Sequence, residues 1–166
     1  MTRILAGFLL FAFVLATAYV TPVRAEHDTV VLSIDIDDGD SGTHHIELTL
    51  EDLQALPATQ FATTTIWTSG PQVFSGVWLS TLLEQFEITG GVIELQAIND
   101  YRISLPVEQI EPRGALLAYR RNGDVMTARE NGPLWLVYNY DSDPEYRSET
   151  YYSRSIWQLD RISVSR

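Results

Sequence analysis

The chain has 166 residues, 22 of them acidic and 11 basic, for a formal net charge of -11; it holds no cysteine, and every basic residue is an arginine. The missing cysteine excludes disulfides, zinc fingers, iron–sulfur ligation and any thiolate ligand or nucleophile. The excess of acid excludes a surface built for nucleic acid or anionic lipid, while 45% hydrophobic and 20% charged residues describe a chain that folds.

Thr2 and Arg3 precede an apolar run over 4–20, followed by Thr21-Pro22-Val23-Arg24-Ala25. Val23 and Ala25 stand where a signal peptidase reads small or β-branched residues, so 1–25 read as a secretory signal peptide cleaved before Glu26. The alternative reading is an uncleaved anchor helix. Cleavage leaves 26–166 as a single domain of 141 residues, with 22 acids against nine arginines and a charge of -13. Its expected location is periplasmic or secreted, off the membrane.

Val30, Leu32, Ile34 and Ile36 alternate with polar or outward positions, as do His44, Ile46, Leu48 and Leu50. With the turn chemistry of Asp38-Gly39-Asp40-Ser41-Gly42 between them, 30–50 read as a β-hairpin. Thr49 is the expected N-cap of a short helix carrying Leu53 and Leu56, with Asp52 near its positive end and Pro57 stopping it. The Thr- and aromatic-rich stretch 61–67 is an expected strand. Leu79, Leu82, Leu83 and Phe86 have helical spacing, and Trp78 is expected to pack beneath that helix. Further strands are expected at 92–98 and 101–105 around Asn99-Asp100, and at 115–120 and 125–127 around Asn122-Gly123. Another is expected at 134–140, a closing strand at 162–164, and a polar acidic loop over 141–150. The fold class is mixed α+β: β-rich twisted sheets with short helices.

Chemical signatures are scarce. Asp35, Asp37, Asp38 and Asp40 surround a glycine, but an EF-hand counted from Asp35 requires Gly and Glu where Asp40 and Ile46 stand. His44 and His45 are neighbours in a strand and point to opposite faces, and His27 lies at the mature N-terminus, so no metal site is expected. No Gly-x-Ser-x-Gly elbow, Gly-x-Gly-x-x-Gly or Walker A pattern occurs, and no catalytic residue is assigned. The aromatics, among them Trp67, Tyr101, Trp135, Tyr138, Tyr152 and Trp157, fit a core or the walls of a ligand pocket. Arg102, Arg147 and Arg154 are the candidate anion clamps.

One family shares the order of these segments. Leu48-Thr49-Leu50-Glu51-Asp52-Leu53 with Leu56-Pro57 is followed by Phe74-Ser75-Gly76-Val77-Trp78-Leu79, then by Asn99-Asp100-Tyr101 with Leu105-Pro106. Residues 116–123, Gly132-Pro133-Leu134-Trp135-Leu136-Val137, and Arg154-Ser155-Ile156-Trp157 with Arg161-Ile162 complete the order. Over about 45–164 the chain resembles the oxidoreductase molybdopterin-binding domain family, the sulfite-oxidase type. The resemblance implies that family's fold, with molybdopterin held across loops at one end. It also implies a cysteine ligand to molybdenum in the segment 62–68, where this chain has Thr64 or Thr65. Trp135 stands where the family often carries an arginine. Arg154 and Ser155 stand near the basic residues that hold the cofactor's phosphate.

A threonine hydroxyl is a poor replacement for a soft thiolate, and a domain of charge -13 is poorly suited to an anionic pterin. The expectation is therefore a non-redox module whose former cofactor cleft binds a small molecule or a protein, without resident cofactor. Its lining residues are expected to be Thr64, Thr65, Trp67, Tyr101, Arg102, Trp135, Tyr138, Arg154 and Ser155. Two alternatives stand beside it: a molybdopterin-dependent oxidoreductase with a non-cysteine metal ligand, and a periplasmic partner of a membrane sensor.

Overall fold

In the computed structural model of the protein, residues 29–166 are described. The signal peptide expected at 1–25 and His27 lie outside them.

Strand β1 (Val30–Asp37) buries Leu32, Ile34 and Ile36, the alternation that the sequence shows. It turns through Gly39, at φ 64°, and Gly42, at φ 96°, into antiparallel β2 (Thr43–Thr49). Helix α1 (Leu50–Gln54) starts at the expected cap: Asp52 N–H donates to Thr49 Oγ1, and Asp52 Oδ2 accepts from both the N–H and the hydroxyl of Thr49. Those two hydrogen bonds hold the Asp52 carboxyl below its usual pKa.

The chain then lays down β3 (Thr59–Thr63), β4 (Gln72–Trp78), α2 (Leu79–Gln85), β5 (Val92–Ala97) and β6 (Arg102–Pro106). After these come β7 (Ala115–Arg121), β8 (Asp124–Val125), β9 (Trp135–Tyr138), α3 (Glu149–Ser153) and β10 (Leu159–Ser165). The strands form two sheets, in keeping with a β-rich α+β class. The first has the order β2-β1-β10-β5-β6, with β1 and β10 parallel and the other pairs antiparallel. The second is β3-β4-β7, and the far edge of β7 is shared by β9 and β8.

Several boundaries differ from the sequence reading. The strand expected at 61–67 ends at Thr63, because the next residues bond as turns. Strand β4 was not foreseen: Phe74-Ser75-Gly76 sits inside it, and its side chains alternate too irregularly around a bulge to show period two. The loop expected at 141–150 contains a 3₁₀ turn over Pro144–Arg147 and the start of α3. The closing strand is longer than 162–164 and runs through the middle of its sheet.

The second sheet is covered on both faces. Ala115, Leu117 and Tyr119 of β7 and Leu136 and Tyr138 of β9 join the main core, which also holds Leu53, Leu79, Leu82 and Leu83 from α1 and α2. Leu116 and Ala118 of β7, with Trp135 and Val137 of β9, point the other way and meet Phe74 and Met126 in a smaller core. Trp78 belongs to this smaller cluster, not to the underside of α2: it is half-buried, with its ring stacked 6.0 Å from that of Phe61. Among the described residues no helix is long and apolar enough to cross a membrane.

Candidate functional site

A cleft of about 280 Å³ opens where three loops converge. Trp67 comes from the segment after β3, and Ala97, Asn99 and Tyr101 come from the β5–β6 turn. Tyr152, Ser155, Ile156 and Trp157 come from α3 and the chain leaving it.

Each loop is fastened by side chains that the sequence supplies locally. Thr63 Oγ1 accepts the Asp141 N–H at 3.1 Å, and the Asp141 carboxylate accepts the Thr64 N–H and hydroxyl, both at 2.7 Å. Arg147 donates to the same carboxylate at 2.5 Å and to the Tyr140 carbonyl at 2.9 Å. The Thr64 hydrogen bonds and then Arg147 keep the Asp141 carboxyl below its ordinary pKa. Thr65 Oγ1 accepts the Trp67 N–H and pairs with the Thr68 hydroxyl, which fixes the turn that presents Trp67. In the β5–β6 turn, Asp100 adopts φ 65°, its N–H donates to the Ala97 carbonyl, and the Tyr101 N–H donates to Asn99 Oδ1. The Tyr101 hydroxyl then reaches across to the Ser153 carbonyl at 2.8 Å, tying this turn to α3.

The walls are aromatic. The Trp67 ring centre lies 5.7 Å from that of Trp157 and 5.8 Å from that of Tyr152, with ring planes at 70° and 86°. Behind them Trp135 is fully buried, with its ring edge-on to Trp67, Phe74 and Trp157. At the floor, Ser155 donates to the Tyr151 carbonyl at 2.7 Å, so the Tyr140 hydroxyl, 2.5 Å away, is the donor to Ser155 Oγ. Burial raises the Tyr140 phenol to about 12, against a smaller lowering by that bond.

The nine residues expected to share one site are divided. Trp67, Tyr101 and Ser155 line the cleft. Trp135 sits behind its wall, and Thr64 and Thr65 spend their hydroxyls on fastening Trp67. Tyr138 lies on the opposite face of β9 from Trp135, because residues three apart in a strand point opposite ways. There it packs 4.9 Å from Tyr151 and 5.5 Å from Tyr146, ring centre to ring centre, and both of those phenols donate to the Glu111 carboxylate at 2.7 and 2.8 Å. Burial raises the Tyr138 and Tyr146 pKa values, and the bond to Glu111, followed by burial, raises Tyr151 to about 12.

Arg154 belongs to this second cluster, 5.7 Å from the centre of the Tyr151 ring and bonded to Gln109 Oε1 at 2.9 Å. Arg102 lies 3.9 Å from a Glu94 carboxylate oxygen and 3.7 Å from one of Asp100. None of the three candidate clamps lines the cleft. The aspartates of β1 and the turn after it have separate partners: Asp35 has His45 at 2.6 Å, Asp37 the Gly39 N–H, and Asp38 both Arg166 at 2.9 Å and His44 at 3.6 Å. The Asp35 hydrogen bond raises the pKa of exposed His45.

Asn99, Tyr152 and Trp157 line the cleft and were not assigned to it from the sequence. Trp157 was legible, since it closes the Arg154-Ser155-Ile156-Trp157 motif. Asn99 opens the Asn99-Asp100-Tyr101 motif and Tyr152 is among the aromatics fit for a pocket wall, but nothing in the sequence brings either to this cleft. The donors around the cleft do not suit a molybdenum pterin: both threonine hydroxyls are committed, and among the described residues no arginine lines the cavity to meet a phosphate. No family model matches the chain, and no curated protein matches it significantly.

Proposed function

We propose that the protein is an exported ligand-binding domain with a sulfite-oxidase-like molybdopterin-binding fold, whose cleft takes a small organic molecule without redox chemistry. The neutral, aromatic lining of the cleft carries this reading. Apolar walls with a few placed polar groups are the usual construction of a small-molecule site. The location adds support. The two segments that the resemblance ties to the cofactor, 62–68 and 154–155, border this cleft through Trp67 and Ser155.

The test is to produce the protein in a host that makes molybdopterin, measure its metal content, and screen its melting temperature against neutral, cationic and anionic metabolites. A ligand at 100 times its dissociation constant adds about 2.7 kcal/mol of stability, which is readily seen. A melting shift without molybdenum is the expected result. Stoichiometric molybdenum overturns the proposal in favour of an oxidoreductase. A co-purifying protein partner with no small-molecule shift overturns it in favour of a docking module.

A further inference from the structure

Building on the small-molecule reading of the cleft, we infer that its ligand is an organic cation of the quaternary ammonium type, held against the rings of Trp67, Trp157, Tyr152 and Tyr101. Three observations separate this class from other small molecules.

The first is shape. The planes of Trp157 and Tyr152 stand at 70° and 86° to that of Trp67. A flat heterocycle stacks best between parallel walls, whereas a globular trimethylammonium group fits where ring planes meet steeply. At about 280 Å³ the cavity lies just below the usual span of ligand pockets, roughly 300 to 1,000 Å³, and suits a small ligand.

The second is the state of the polar groups. The Ser155 hydroxyl is bonded to Tyr140 and the Tyr151 carbonyl, the Tyr101 hydroxyl to the Ser153 carbonyl, and Asn99 Oδ1 to a backbone N–H. A sugar would have to satisfy its many hydroxyls on what is left, the Asn99 amide N–H, the Tyr152 hydroxyl and the indole N–H groups of Trp67 and Trp157, which are nearly all donors. A quaternary nitrogen has no N–H to satisfy and loses little by leaving water for aromatic faces.

The third is charge. Among the described residues no cationic side chain lines the cleft, and the chain carries twice as many acids as bases. A field of that sign concentrates cations at the surface and repels carboxylates and phosphates.

The experiment is a tryptophan-fluorescence titration of the intact protein at low ionic strength with choline. The comparison is its neutral analogue, in which carbon replaces the quaternary nitrogen. Choline is expected to quench saturably and to bind at least about tenfold more tightly than the analogue, because several rings contribute cation–π attraction. Tyr101 is exposed, so Tyr101→Ala is the variant least able to disturb folding. Its affinity for choline is expected to fall about two- to fivefold, the scale of one exposed cation–π contact, while Tyr101→Phe, which keeps the ring and gives up only the bond to the Ser153 carbonyl, is expected to lie between Tyr101→Ala and the wild type. Equal binding of choline and its analogue overturns the cation inference and leaves a ligand cleft standing. Choline binding that ignores Tyr101→Ala removes the cation from this cleft. If choline fails to bind but indole or glucose quenches saturably, only the cation inference falls; if none of the four compounds binds, the small-molecule reading falls with it.

Discussion

Trp135 fills the smaller core completely, yet among the described residues its indole N–H has no hydrogen-bond partner. A buried donor without an acceptor costs about 1–3 kcal/mol, which partly offsets what the ring gains by packing. Trp135→Ala is expected to cost about 3–5 kcal/mol, as loss of a large core aromatic does. Trp135→Phe removes the orphan donor along with part of the ring, and is expected to cost under about 2 kcal/mol. Denaturant midpoints of the two variants check this; equal losses would mean that the indole nitrogen is satisfied. The tyrosines give a second residue-scale prediction. Tyr140 and Tyr151 are raised from 10.0 to about 12, and Tyr138 and Tyr146 are also raised. Phenols kept neutral by the fold contribute stability that is complete below about pH 10, where the unfolded chain still holds those protons, and that is lost as the pH climbs through the folded values. The melting temperature should therefore hold steady up to about pH 10 and then fall, with the tyrosinate absorbance rising as the protein unfolds. Tyrosinate forming at Tyr138, Tyr140, Tyr146 or Tyr151 in the folded protein near pH 10, read by difference against the matching Tyr→Phe variants, would contradict this.

Strands decide which side chains share a site. β1 was legible because one of its faces is buried and the other is not, so the period of two stands out. β7 and β9 are buried on both faces, so their residues run uniformly apolar and the sequence gives no cue to which cluster each one joins. Even so, parity was there to be read: the odd offset between Trp135 and Tyr138 already separated them. The long-range latch of Asp141 onto Thr64 had no sequence signal, because 77 residues separate the partners. Asp141→Ala should cost only about 1 kcal/mol, since the carboxylate is exposed. It should nevertheless weaken any ligand of the cleft by releasing the turn that carries Trp67; unchanged affinity would show that the turn holds itself. Gly76 explains part of the aromatic-x-Gly motif. A Cβ there would stand 2.0 Å from the Leu117 carbonyl oxygen, at the bulge where β4 meets β7. Gly76→Ala is expected to destabilise by about 1–3 kcal/mol or more, because backbone, unlike a flexible side chain, cannot step aside. A wild-type melting temperature would show that the bulge can open.

Charge acts on the molecule as a whole. With 22 acids against 11 arginines the folded state repels itself, and its ion pairs, such as Arg102 with Glu94 and Arg166 with half-buried Asp38, lie at the surface. Raising the ionic strength from about 0.01 M to 0.15 M shortens the screening length from roughly 30 to 8 Å, which relieves repulsion across the surface more than it weakens close pairs. The melting temperature is expected to rise over that range, as calorimetry would show; a fall would mean that the pairs outweigh the net charge. The α+β class was legible from the alternating strands and turn residues, whereas sheet order was not, since no residue pattern says which distant strands pair. That order governs time as well as shape. β10 lies between β1 and β5, so the hairpins β1–β2 and β5–β6 can each close early but remain unconnected until residues 159–165 arrive. The pairing of β1 with β10 joins strands far apart in sequence, and non-local pairings of that kind slow folding. The two hairpins cannot become one sheet until the strand at 159–165 slides into the gap between them.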